Sequence, residues 1–543
     1  MLDLIILGGK VVDGAGNPWF KADIGVREGR ITEIGNLRGE GADEVIDAEG
    51  LIVSPGFIDM HSHSDITIPF NPYMDSSIMQ GITTTVVGNC GISPAPVNSE
   101  REDTLKSYLK QFLPPQLSIE FKWKSFREYL EWENIRGVSC NVAHLVGHGT
   151  IRIAVMGMDA REPEENEMEE MRKLVDEAMA SGAFGLSSGL IYPPGVYCKK
   201  GELIELAKVV SKYDGIYASH IRGEGKTLVD ALLEAIKVGE EAKVPVQISH
   251  HKAAGRQNWG KTEKTLSIME EARERGVDVT CDVYPYTAGM TSLITLLPPW
   301  AHEGGIENLL RRLGNDVYRQ KIRDDMIKGF EGWESFVKEY GWENIYLSSV
   351  KSEKNRRFEG KSFSEIKELM GAVDEYRALF DIIVEEEGCA TMIVFQMNEE
   401  DVKRVISNHL SMFSTDSWSV SPKGELGRGK PHPRFYGTYP RVFKKYVMEE
   451  KILTLEEAVR KMSSFPAQKL GLKDRGMVRE GFWADIVVFD IRRVADRATY
   501  DNPHQYPDGI EYVIVNGKVV VERGVHKLTL PGKVLFRSRK DLD

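Results

Sequence analysis

At 543 residues the chain is longer than one ordinary hydrophobic core and suits a large barrel joined to a second domain. It is 41% apolar and 28% charged with a net charge of -12, a globular composition that excludes nucleic-acid binding through a basic surface. Five scattered cysteines (Cys90, Cys140, Cys198, Cys281, Cys389) make no disulfide framework and fit a reducing cytoplasm, and no uninterrupted apolar run of about 18 residues is present to span a membrane.

The N-terminal run has an acid at Asp3 and no basic leader, so it reads as a strand and not as a signal peptide. Short strands punctuated by glycine turns are predicted at 4–7, 11–12, 22–26, 30–34 and 51–53. The far end has the same texture: a strand at 484–490, then 512–515 and 518–521 joined by the Asn516-Gly517 turn. The two β segments, 1–55 and 470–543, are expected to pair into one small β-sandwich domain with the rest of the chain inserted between them.

Residues 56–469 alternate short apolar strands with helical patterns, the signature of a parallel sheet. Eight strands are predicted, at 57–63, 83–90, 141–148, 184–190, 215–220, 244–251, 278–286 and 411–416, with amphipathic stretches such as 163–180, 227–238 and 262–275 between them. That is a (β/α)8 TIM barrel. The gap before the eighth strand is too long for one crossover. It holds strands at 345–350 and 391–397 and helices at 362–370, 373–387 and 399–408, read as a mixed insertion at about 300–400, after the seventh strand and over the barrel mouth.

Polar residues cluster where these strands end. His61 and His63, two apart, share one face of the first strand. Cys90 ends the second strand, His220 the fifth, His250 the sixth and Asp416 the eighth. Each alone has an ordinary explanation, such as a small buried thiol, a structural histidine or a helix cap. Five strand ends converging on metal-ligating types point to a metal site at the C-terminal face, where barrel enzymes do their chemistry.

The order His-x-His, late His, late His, late Asp resembles the amidohydrolase superfamily, as does the run Asp474 to Asp485. A narrower resemblance is to the N-acyl-D-amino-acid deacylases (D-aminoacylases), carried by Gly88-Asn89-Cys90-Gly91, Gly147-His148-Gly149-Thr150, the run Gly185 to Tyr192, Asp282-Val283-Tyr284-Pro285-Tyr286 and His432-Pro433-Arg434. Many binuclear amidohydrolases bridge their metals with a carbamylated lysine on the fourth strand. Here that strand ends Ser187-Ser188-Gly189, so the bridging anion falls to Cys90, as in D-aminoacylases. The resemblance implies a zinc-dependent hydrolase that cleaves N-acyl-D-amino acids to a carboxylate and a free D-amino acid. Cys90, His220 and His250 would hold one tight zinc; His61, His63 and Asp416 would form a weaker second metal position, and Asp416 would be the catalytic acid–base. Tyr192, Lys252, Tyr284 and Arg434 would bind substrate, with Arg434 on the α-carboxylate. His144 and His148 would be structural, Arg222 and Glu224 would orient ligands, and His251, facing away from His250, is left out.

In relatives acting on acidic substrates, an arginine shortly after the Tyr-Pro-Tyr segment meets the side-chain carboxylate. Residues 284–300 contain no cation and offer Met290, Leu293, Ile294, Leu296, Leu297 and Trp300, which favours apolar side chains unless Lys351, Lys354, Arg356 or Arg357 enters from the insertion. The alternatives are a dipeptidase acting on D-containing peptides, a cyclic-amide hydrolase of the same superfamily and, more remotely, a non-catalytic scaffold. The expected partner is a small molecule, an N-acyl amino acid or dipeptide, with no nucleic acid and no membrane; a homo-oligomer is left open.

Overall fold

The computed structural model describes residues 1–537. Eight parallel strands form the central barrel: Phe57–Asp59, Ile82–Val87, Asn141–Gly147, Gly185–Gly189, Ile216–His220, Val246–Ile248, Val279–Val283 and Ser411–Phe413. They lie side by side in chain order. The ring closes beyond the first and eighth strands, where His63 N–H donates to Ser417 O and Asp416 N–H donates to His61 O, each at 2.8 Å. Every residue of these strands is buried, which is why they read as apolar or small-residue runs without a clean alternation. Ala467 and Leu470, on the helix Ser464–Leu470, pack with Ile58, Leu145, Ile216 and Met412 in the barrel interior. The helices Glu165–Ala180, Leu228–Ala242 and Lys261–Glu274 occupy the predicted amphipathic stretches.

Strands from both chain ends share one nine-stranded sheet, in which Ile52–Pro55 pairs antiparallel with Ile486–Phe489. Two predicted N-terminal strands are one, Leu2–Val11, with an irregularity between Ile6 and Gly9 and Gly8 at a φ of 71°. Sequence reading missed Ala42–Asp47, which runs parallel to that strand, because only Ile46 of it is buried and no apolar alternation marks it. The tail leaves this sheet: Val534–Leu535 pairs in parallel with the third barrel strand.

A buried polar cluster joins the sheet to the barrel. Asp485 accepts from Arg475, from Asn141 Nδ2 at 3.2 Å and from Asn516 N–H at 2.8 Å, and Asn516 Nδ2 donates to Asn141 Oδ1 at 2.8 Å. Asn141 opens the third barrel strand, so one carboxylate ties three distant chain segments together.

The insertion has its own three-stranded antiparallel sheet, with Thr391–Phe395 between Ala288–Ser292 and Ile345–Ser349. Its first strand lies ahead of residue 300 and was not anticipated, since Ala-Gly-Met-Thr-Ser has little strand character of its own. Leu293, Ile294, Leu296 and Leu297 pack with Leu309, Ile382 and Met392 in a separate core. The helix Glu399–Ser407 belongs to the barrel instead; it packs on the helix Lys261–Glu274 and on the eighth strand.

Removing one member of a buried ion pair costs about 3–5 kcal/mol, because the partner charge is left unpaired. Asp485→Ala is therefore expected to melt at a clearly lower temperature than the exposed control Asp501→Ala. Calorimetry would check this, and equal melting temperatures would show that the cluster does not hold the sheet to the barrel.

Candidate active site

Side chains from five barrel-strand ends meet around one sulfur. Cys90 Sγ lies 3.3 Å from His61 Nε2, 3.6 Å from His220 Nδ1 and 3.6 Å from His250 Nε2. Asp416 Oδ1 lies 3.5 Å from His61 Nε2 and 3.6 Å from His63 Nε2. His61 thus stands at the thiol as well as beside His63 and Asp416, and both triads, His61–Cys90–His250 and His61–His63–Asp416, are compact enough to share an ion.

The donor set fits a thiophilic divalent cation such as zinc. Tetrahedral zinc with ordinary bonds to sulfur and imidazole nitrogen places those two atoms about 3.5 Å apart, which is the spacing found around Cys90. Burial drives the His61 imidazole well below its usual pKa and His220 down to about 3, so both rings are neutral and carry a lone pair. Burial, and then the Asp416 carboxylate, push the Cys90 thiol well above its usual range. A bound cation reverses that sign, since a coordinating thiol is deprotonated outright.

The backbone is bent to present these groups. Cys90, His250 and Asp416 have φ of 52°, 36° and 48°. Left-handed conformations at non-glycine residues cost on the order of 1–3 kcal/mol each and persist only where the surroundings enforce them. A side chain at Gly88 would place its Cβ 1.9 Å from Leu145 O, so only glycine lets the second strand turn there.

Two buried acids that sequence reading did not single out hold the ring. Asp59 accepts from Thr415 Oγ1 at 2.6 Å and from Thr415 N–H at 2.9 Å, binding the first strand to the end of the eighth. Burial, partly offset by those bonds, pushes its carboxyl up to about 7. Asp282 accepts from His250 N–H at 2.9 Å and Ser414 Oγ at 2.8 Å, and lies 3.7 Å from His61 Nδ1. The available signal was an acid inside an otherwise buried barrel strand.

His63, His220, His250, Asp416, Tyr192, Lys252, Tyr284 and Arg434 all line one cleft, and its His220 and His250 contact the buried Cys90 sulfur. Lys252 Nζ pairs with Glu224 Oε1 at 2.5 Å, and the same oxygen lies 3.1 Å from His250 Nδ1. Arg434 Nη1 lies 2.9 Å from Asp416 Oδ2, and its guanidinium stands 4.6 Å above the Tyr284 ring. Burial raises the Asp416 carboxyl, but Arg434 first, with His250 and the nearby His63, outweighs it and holds the group well below the usual carboxylate range. Tyr192 bonds Thr291 Oγ1 at 3.0 Å and sets its ring edge against His220.

The other residues considered from the sequence lie as follows. His144 bonds Glu133, His148 bonds Glu202 and His251 bonds Thr265, all away from the ring. Glu224 does reach His220 and His250, whereas Arg222 pairs with Glu234 and reaches neither. Of the apolar run after Tyr286, only Met290 lines the cleft. Leu293, Ile294, Leu296 and Leu297 lie inside the insertion's core and Trp300 packs against it, because the chain turns into the insertion straight after Ser292. The insertion contributes Phe336, Thr391, Val394 and Gln396 to the cleft. Lys351, Lys354 and Arg356 pair with Glu387, Glu385 and Glu353, Arg357 lies over the Phe358 ring, and none of the four lines the cleft.

Residues 44–521 match the amidohydrolase family profile. The chain is 34% identical to a D-aminoacylase of Alcaligenes xylosoxydans xylosoxydans over 99% of its own length and 98% of that protein's. It is 36% identical to an N-acyl-D-glutamate deacylase of the same organism, covering 99% and 97%. A crystal structure of N-acyl-D-glutamate deacylase from Bordetella bronchiseptica, complexed with zinc and a phosphonate mimic of the tetrahedral intermediate, superposes with a TM-score of 0.81 at 33% identity, covering 98% and 99%.

The spacing around Cys90 generates a direct expectation. Elemental analysis of the purified protein should find at least one zinc per chain, and Cys90→Ala should lose it while circular dichroism stays unchanged. Tight zinc retained in that variant would remove Cys90 from the ligand set.

Proposed function

The chain belongs to the amidohydrolase family and is a hydrolytic enzyme of amide bonds; on that footing we propose that it cleaves N-acyl-D-amino acids with uncharged side chains, using zinc. The observation that carries the reading is one cleft lined by His63, His220, His250, Asp416 and the buried cations Lys252 and Arg434, with His220 and His250 reaching the Cys90 sulfur. A non-catalytic scaffold would have no use for such an assembly.

Cys90, His220 and His250, with His61 against the thiol, would hold the tight ion, and His61, His63 and Asp416 a weaker second one. When bound, zinc supplies a nucleophile at neutral pH by lowering the pKa of water, and it polarises the scissile carbonyl. Asp416, held ionised chiefly by the Arg434 guanidinium, is ready to accept a proton from the attacking water. It then delivers a proton to the departing amide nitrogen, which is a poor leaving group without one. Tyr192 and Lys252 flank the scissile carbonyl. Arg434 takes the α-carboxylate with two parallel N–H donors and rests on Tyr284.

Overall identity to the D-aminoacylase and to the glutamate deacylase differs too little to choose between side-chain classes. The charge in the cleft supports uncharged side chains. Lys252 and Arg434 are the lysine and arginine lining it among the described residues; one is held by Glu224 and the other faces Asp416. A carboxylate side chain would lose its water without gaining a partner, at a cost of several kcal/mol. A cytoplasmic location belongs to the same reading, supported by five buried free cysteines.

Two measurements follow. Asp416→Asn keeps the shape but cannot exchange a proton, so kcat should fall by about 100- to 10,000-fold with the fold retained; near-normal kcat would take Asp416 out of the reaction. The reading as a whole is tested by kcat/KM across N-acetyl-D-Leu, D-Met, D-Phe, D-Glu and D-Asp, their L counterparts and D-containing dipeptides. The uncharged D substrates should lead. A preference for D-Glu would overturn the side-chain assignment, and a preference for dipeptides would favour a peptidase.

A further inference from the structure

Glu334 belongs to the insertion, but the hydrogen bonds of its carboxylate run to the barrel. It lies in the turn between the helices Asp316–Lys328 and Phe336–Tyr340. The next residue anchors that turn, since Ser335 Oγ donates to Met326 O at 2.7 Å. From there Glu334 reaches the loop that follows the fifth barrel strand. Its Oε2 accepts from Glu224 N–H at 3.2 Å and from Gly225 N–H at 3.1 Å. Its Oε1 accepts from Thr227 N–H at 2.6 Å and from Thr227 Oγ1 at 2.8 Å. A Cβ at Gly223 would come within 3.1 Å of this carboxylate and 2.0 Å of Thr227 Oγ1, so the loop needs glycine there to admit it.

The loop has no cap of its own. Thr227 is the N-cap of the helix Leu228–Ala242, yet its side chain bonds none of the free helical N–H groups. Glu334 supplies a negative charge at that positive helix end instead. The carbonyl edge of the loop is held separately: Glu224 O accepts from Ala254 N–H at 2.8 Å, and Gly225 O from Lys261 Nζ at 3.2 Å.

With its backbone held on both edges, Glu224 projects into the cleft, where its Oε1 lies 3.1 Å from His250 Nδ1. That contact decides which imidazole nitrogen is free. A carboxylate at Nδ1 keeps the proton there, and Nε2, the atom 3.6 Å from Cys90 Sγ, keeps its lone pair for a cation. Lys252 Nζ stands 2.8 Å from the same Nδ1. An ammonium has no acceptor, so without Glu224 it would favour the opposite tautomer and deny Nε2 to the metal.

We propose that Glu334 is a positioning residue of the metal centre: it holds the loop that aims Glu224, and through Glu224 it fixes the tautomer and direction of His250. This rests on the reading of His250 as a zinc ligand. Glu334 itself does not line the cleft, so the role is separate from the insertion's part in the roof.

Zinc affinity, measured by competition with a chromogenic chelator, tests this without a substrate. Glu334→Gln keeps the shape but turns an amide donor toward backbone donors. Its zinc affinity should fall about 10-fold, the low end of the loss seen when an outer partner of a metal ligand is removed. Glu224→Gln should lose at least as much, and the double variant no more than Glu224→Gln alone, because Glu334 acts through Glu224. Thr227→Val, which removes one donor to Glu334, should bind zinc more weakly than Thr227→Ser, which keeps it. Wild-type affinity in Glu334→Gln would overturn the proposal. Losses that add in the double variant would overturn it too, since Glu334 would then merely secure the insertion. Should Glu334→Gln fail to fold, equal affinities in the two Thr227 variants would overturn it. Non-additive loss of zinc in a protein that hydrolyses no N-acyl-D-amino acid would uphold the positioning role and overturn the deacylase reading alone. A wild type that binds no zinc would overturn both.

Discussion

A single buried sulfur fixes much of this architecture. Cys90 Sγ can sit within 3.3–3.6 Å of three imidazoles only if the first, second, fifth and sixth barrel strands end at the same level. That requirement accounts for the left-handed backbone at Cys90 and His250, for glycine at 88 and for the small residues ending the fourth strand. The strain is not relieved locally. It is held by Asp59 and Asp282, whose buried carboxylates tie the first, sixth, seventh and eighth strands through backbone and hydroxyl donors.

Around that point the charges are arranged in sequence. The neutral His61 and His220 imidazoles and a buried thiol form the floor, an ionised Asp416 the wall, and Arg434 and Lys252 the far side. Each cation has a carboxylate against it, so the cleft attracts an anion only where the substrate can displace or share that partner. The proposed preference for a substrate with one carboxylate over one with two rests on this arrangement.

The insertion gives the cleft its roof and gains its own stability elsewhere. Its leucines and isoleucines pack among themselves, and the residues it turns downward are few and mixed in character: Phe336 and Val394 beside Ser292, Thr391 and Gln396. Side-chain selectivity in such a fold can change without disturbing the metal floor, because the two surfaces come from different layers held by different cores.

The barrel was legible in the sequence because buried parallel strands have to be continuous apolar runs and their crossovers have to be amphipathic; both are local patterns. The candidate ligands could be proposed from the sequence because metal chemistry restricts the residue types, and strand ends restrict where they fall. The edge strand Ala42–Asp47, the first insertion strand and the return of Val534–Leu535 to the barrel left no such local trace, since each is stabilised by a neighbour distant in the chain. The same holds in the site. Nothing in the run from Met290 to Trp300 tells which side chains face the cleft, and only the turn after Ser292 sends the leucines into a separate core. Local pattern therefore determined the elements and the chemistry they carry. Long-range packing decided which atoms meet, that His61 reaches the thiol, that Arg434 lies against Asp416 and that the roof is polar, because contact between distant segments depends on the summed geometry of the whole barrel and no short stretch of sequence records it.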